Sequence, residues 1–143
     1  MAIRQLSIFL ENRKGRLAAI TSILAGAKID IAAISIADTA EFGIIRLIVD
    51  DVEKAESILK ENNVLYRIND VTAVEVDGEP GGLAKVLSLI DNTSINVEYM
   101  YTLATQSNGK PVLILRFSEP GVARDTLRQG GVRLLDEKAL GIG

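Results

Sequence analysis

"LSIFLENRKGRL" (6–17) and "TAVEVDGEPGGL" (72–83) decide how this chain is read. Set at an offset of 66, Ile8 meets Val74, Leu10 meets Val76, Gly15 meets Gly81 and Leu17 meets Leu83. In both stretches an alternating apolar run, which has the period of a strand, passes through a polar turn and one glycine into an apolar helical pattern. The same offset carries "KIDIAAIS" (28–35) onto "SINVEYMY" (94–101), with Ile29 on Ile95 and Asp30 on Asn96. Beyond that point the second copy is longer by four residues at its "TQSNGKP" turn (105–111), so that Arg46 aligns with Arg116 at an offset of 70. The chain reads as two copies of one unit, residues 1–70 and 71–143.

Each copy carries the same order of elements. In the first, residues 3–10 alternate as a strand, and 16–25 place Leu17, Ile20, Ile23 and Leu24 at helical spacing before Gly26. Residues 28–38 and 42–50 are rich in Ile and Val, and the "TAEFG" between them reads as a hairpin turn. Asp50 and Asp51 open a second helix that runs to Asn62, their charge suited to the helix dipole. "VLYRI" (64–68) closes the unit as a strand. The second copy repeats this with strands at 71–77, 94–105, 111–118 and 131–137 and helices at 81–92 and 120–130. The order β-α-β-β-α-β is the ferredoxin-like split motif, so the expected class is α+β, two such units with antiparallel sheets.

Composition excludes much chemistry. Of 143 residues none is cysteine and none histidine, which removes disulfides, thiol nucleophiles, the commonest general base and the commonest metal ligand. The expectation is a protein without catalysis, cofactor or metal. "EVDGE" (75–79) lacks the spacing of a calcium loop, and "DDVEKAE" (50–56) is a helix start. A net charge of −3 gives no basic footprint for nucleic acid, and the central strands carry too few aromatics for an RNA-binding sheet. No run of 18 apolar residues spans a membrane, and "MAIRQLS" has no apolar core of a secretory signal, so the expected location is the cytoplasm.

"FGIIRLIV" and "VLILRF" are apolar in both phases of the strand, although helices of this motif cover only one face of the sheet. The second face therefore needs cover, from the other repeat or from a second chain. A homodimer or higher homo-oligomer is expected on this ground.

The chain resembles a tandem pair of ACT domains, regulatory modules that sense amino acids. The motif that carries the likeness is the first strand, its loop and first helix, and the second strand. Many members show "ENRPGVL" and an "NIAA"-type strand there. This chain has "ENRKGRL" (11–17) with "DIAA" (30–33), and "DGEPGGL" (77–83) with "INVEYMY" (95–101). The likeness covers essentially the whole chain, and its short two-unit layout is also similar to the small regulatory subunit of acetolactate synthase. It departs from the family pattern at Lys14, where proline is common, at Asp30, where asparagine is frequent, and at Leu10, where some members use histidine.

The resemblance implies a free amino acid as ligand, held between two ACT units by this loop and the start of the second strand. A biosynthetic enzyme is the alternative partner, with docking as the main task. The implied ligand-binding residues are Asn12, Arg13, Gly15, Arg16 and Asp30 in the first copy. In the second they are Gly78, Glu79, Gly81, Gly82 and Asn96. The chemistry of the residues agrees: unpaired helix N–H groups near a glycine suit a carboxylate, and Asp30 offers acceptors to an ammonium. Each residue also has a plain structural reading. The glycines can serve tight loop-to-helix packing, Asn12 a turn, the arginines solvation, and Asp30 the entry to a strand.

Overall fold

The computed structural model describes residues 2–11, 13–38, 42–104 and 106–142. The chain divides into two compact units, whose bulk is Arg4–Asn69 and Asp70–Leu140. Among the described residues there are four helices and seven strands. The first unit runs β1 (Ile3–Glu11), α1 (Arg16–Gly26), β2 (Ile31–Asp38), β3 (Phe42–Val49), α2 (Val52–Glu61) and the opening of β4 (Tyr66–Glu75). The second uses the rest of β4, then α3 (Gly82–Asp91), β5 (Val97–Thr102), β6 (Val112–Phe117), α4 (Pro120–Gln129) and β7 (Arg133–Leu135). Both are β-α-β-β-α-β with antiparallel ladders.

In the first unit β3 lies between β2 and β1, and β1 is followed by β4, where the Phe9 N–H donates to the Leu65 carbonyl at 3.0 Å. In the second, β6 lies between β5 and β4, and β7 pairs with the other edge of β4. Period 2 explains the cores. Leu6, Ile8 and Leu10 of β1 point to one face and are buried with Ile20 and Leu24 of α1 and Ala55 and Leu59 of α2. Val74 of β4 and Val76 just after it meet Val86 and Ile90 of α3 and Leu127 of α4 in the second core. The α2 start is capped by Asp51, whose carboxylate accepts the Lys54 N–H at 3.0 Å.

Three features differ from the sequence reading. The strands expected at 64–68 and 71–77 are one strand, β4, which crosses the boundary between the units. The polar residues of β1 are not on a wet face. Gln5 and Ser7 are 0% and 4% exposed. The Gln5 Nε2 donates to Ser7 Oγ at 2.9 Å, and that hydroxyl donates to Asn69 Oδ1 at 2.6 Å. Ile48 and Ile114, in the strand phase away from the helices, are likewise fully buried within the single chain.

The third difference is the alignment of the two copies. Ile8 pairs with Ile45 as Val74 pairs with Leu113, an offset of 66 on one strand and 68 on the other. The helices agree, Val52–Glu61 against Pro120–Gln129. The insertion is therefore two residues, and Arg46 corresponds to Ile114, not to Arg116. The "TAEFG" turn falls partly on residues 39–41, which lie outside the described residues.

Candidate functional site

Two left-handed glycines start the first helix of each unit. Gly15 precedes α1 at φ 89° and Gly81 precedes α3 at φ 94°, with no side-chain cap on either helix. A Cβ on either would meet nothing within 4 Å, so what demands glycine is the backbone angle and not tight packing. The turns that deliver the chain to them match. The Arg16 N–H donates to the Arg13 carbonyl at 3.3 Å, and the Gly82 N–H to the Glu79 carbonyl at 3.2 Å. Gly15 and Gly81 then accept the first helical bonds from Ala19 and Lys85.

Side chains distinguish the loops. Arg13 Nε pairs with Glu11 Oε2 at 2.8 Å, both exposed. Arg16 has no hydrogen-bond or ion-pair partner among the described residues. Gly82 stands at the position of Arg16, and a Cβ there would lie 2.2 Å from the Asp77 carbonyl oxygen, so this glycine is required by space. Gly78 would place a Cβ 3.8 Å from Pro111, an ordinary contact. Glu79 is exposed, and Asn12 lies outside the described residues.

A cleft of about 110 Å³ opens beside the first loop. Leu10, Leu17, Ile36 and Ile45 make its floor, with Glu11, Arg13 and Arg16 around it and side-chain-free Gly43 at its edge. The corresponding hollow of the second unit, about 520 Å³, puts Glu79 and Gly82 where Arg13 and Arg16 stand, and Pro111 where Gly43 stands. On the other side of β1, Phe9, Phe42, Leu65 and Arg16 line a cleft of about 280 Å³. Its counterpart in the second unit, about 140 Å³, carries Glu75, Lys110 and Arg133 at the places of Phe9, Phe42 and Leu65. Glu75, with 6% of its side chain exposed, accepts from Ser107 Oγ at 2.9 Å and lies 3.6 Å from Arg133 Nε. The sequence reading missed Ile36, Gly43 and Phe42, which reach this region through strand pairing; the pairing of Leu10 with Gly43 is a tertiary fact with no local signal.

Asp30 stands apart from the loop of its own unit. β2 and β1 both pair antiparallel with β3, so the start of β2 lies at the end of the sheet opposite the β1–α1 loop. Eight residues of β2 at ~3.3 Å each put Asp30 and Gly15 roughly 25 Å apart along the strands. The Asp30 carboxylate accepts its neighbour's N–H, that of Ile31, at 3.1 Å, and its own N–H donates to Asp50 Oδ1 at 2.9 Å. Asn96 repeats the arrangement, its N–H donating to Ser118 Oγ at 2.9 Å. Gly15 and Asp30 of one unit therefore do not line one cleft.

The profile of a family described as an ACT domain pair matches residues 1–142. Among solved structures, the chain is similar to a Bacteroides thetaiotaomicron protein, with 39% identity and a TM-score of 0.91 over 99% of this chain and 96% of that one. The regulatory subunit of aspartate kinase from Thermus thermophilus, in a ligand-free form, shares the fold at 16% identity and a TM-score of 0.59, over 89% and 91% of the two chains. The corresponding Thermus flavus subunit does so at 15% identity and a TM-score of 0.54, over 90% and 92%. No curated protein matches the sequence.

Proposed function

This chain belongs to the ACT domain pair family, and from that premise we propose that it is a non-catalytic regulatory protein that binds a free amino acid at a β1–α1 loop. The observation that carries this reading is the cleft beside Gly15, where an apolar floor adjoins Arg16, which has no side-chain partner among the described residues, and a helix start with no side-chain cap. A small zwitterion with a side chain matches that combination: the cation and the backbone N–H groups take its carboxylate, and the floor takes its side chain. The fold relatives named as regulatory subunits of aspartate kinase support a regulatory role for such a pair. Asp30 does not line this cleft.

The same reading expects self-association. β2 is an end strand of its unit, and Ile34 and Ile36 on it are 46% and 51% exposed. Sedimentation should give a dimer or larger species at micromolar concentration.

A thermal-shift measurement with each of the twenty amino acids tests the function. A ligand at about 100 times its Kd stabilises by about 2.7 kcal/mol, a rise of several degrees for a chain of this size. Indifference to all twenty would overturn amino-acid binding in favour of docking onto an enzyme, for which the exposed apolar residues of α1, such as Leu17, would serve.

A further inference from the structure

We infer that the amino-acid site lies in the first unit alone, that Arg16 holds the ligand's carboxylate, and that the site selects an aliphatic side chain. This deepens the function proposed above and rests on it. Four residues of the floor, Leu10, Leu17, Ile36 and Ile45, are aliphatic, and Leu17 and Ile36 are still exposed to water. A hydrocarbon side chain laid on them removes apolar surface on both partners, whereas a polar one loses its water and gains no hydrogen bond there.

The rim fixes the other end. Glu11 neutralises Arg13, while Arg16 is free among the described residues. A cation beside a carboxylate suits the two charges of a free amino acid, with the guanidinium fork on its carboxylate and Glu11 facing its ammonium.

The second unit lacks this equipment and cannot acquire it by exchange of one residue. An acid, Glu79, stands at the position of Arg13. No side chain fits at the position of Arg16, because the Asp77 carbonyl occupies the space of a Cβ on Gly82. A carboxylate there meets a negative charge and no cation on the loop, which excludes it.

Isothermal titration of the full chain with L-leucine, L-isoleucine, L-valine, L-aspartate, L-lysine and leucinamide tests the inference. The aliphatic amino acids should bind with one site per chain, and aspartate and lysine should not. Leucinamide, which lacks the carboxylate, should bind roughly 10- to 100-fold more weakly, the cost of a charged hydrogen bond. Arg16→Gln, at an exposed position, should weaken leucine by a similar factor and leave the affinity for leucinamide nearly unchanged. Preference for a polar amino acid, two sites per chain, or leucine binding that survives Arg16→Gln would overturn the inference while amino-acid binding stands. Silence toward all twenty amino acids would overturn both.

Discussion

In the first unit the cleft flanking β1 is lined by Phe9, Phe42 and Leu65; in the second the same three positions are Glu75, Lys110 and Arg133. The backbone beneath is the same. Left-handed glycines stand before α1 and α3, and Asn63 and Gly131 follow α2 and α4 with positive φ. Main-chain geometry is thus kept in both units while the side chains around it have diverged. In the second unit the charges satisfy one another, Glu75 with Ser107 and Arg133, and Asp77 with Lys110 at 3.2 Å. In the first unit Arg16 has no such partner among the described residues. A charge already matched stabilises its own loop, and an unmatched one is available to a ligand.

The largest break in this comparison is expected at Gly82. Gly82→Ala should cost about 3 kcal/mol, because backbone must shift to admit the Cβ, and should lower the melting temperature by about 10 °C. At the equivalent Arg16, which is exposed, Arg16→Ala should stay within about 0.5 kcal/mol of wild type. Equal losses in thermal melts would mean that the two loops do not differ as described.

The buried polar pair comes next. Ser7 and Gln5 stand where the second unit has Ala73 and Val71, all four buried. Ser7→Ala should cost about 2 kcal/mol by removing the hydroxyl that accepts from Gln5 and donates to Asn69. The pair Gln5→Val with Ser7→Ala, which copies the second unit, should recover at least half of that loss in urea unfolding. A double variant worse than the sum of the singles would show that the polar pair is built into the first unit's packing.

Gly15→Ala and Gly81→Ala should sharpen the likeness instead. Neither meets a clash, so each should cost only about 1 kcal/mol for a left-handed alanine, and the two costs should agree. A much larger loss at one of them would point to a close approach in that unit alone.

The smallest effect is a pH one. The hydrogen bond from Arg4 holds the Glu53 carboxyl below its ordinary value of 4.5, and the corresponding residue of the second unit is Gly121. The folded chain therefore binds this proton less readily than the unfolded one. Its contribution is present above the unfolded value and fades as the pH falls through the folded one. Glu53→Gln should flatten the acid limb of the stability curve slightly, and a carboxyl titration by NMR should find Glu53 below the other exposed glutamates.

Strands and helices could be read from the sequence because their periods are local. The even phase of Leu6, Ile8 and Leu10 survives into the structure, and so does the helix start at Asp51, whose side chain the structure shows as its cap. The error at Arg46 came from matching two arginines across a turn of unknown length. It displaced the alignment by an even number, so no residue changed face. "ND" (69–70) reads as a break between two strands, yet it lies inside the continuous β4. The loop glycines of the candidate site were legible because a helix start after a strand is a local event. That Ile36 and Gly43 join it, while Asp30 sits at the other end, depends on which way neighbouring strands run.

β4 bears on how such pairs can change over generations. Its even-numbered residues Tyr66 and Ile68 serve the first core, and Val74 serves the second. One codon gained or lost near Asn69 would turn Val74 outward and Glu75 inward, while a gain of two would keep the faces. Elsewhere a two-residue insertion already separates the copies, at the turn between β5 and β6. Recombination that swaps whole units between lineages must join them inside a strand and in phase. Halves of such chains are therefore expected to be inherited together, and length variation to accumulate in the hairpins rather than at the boundary.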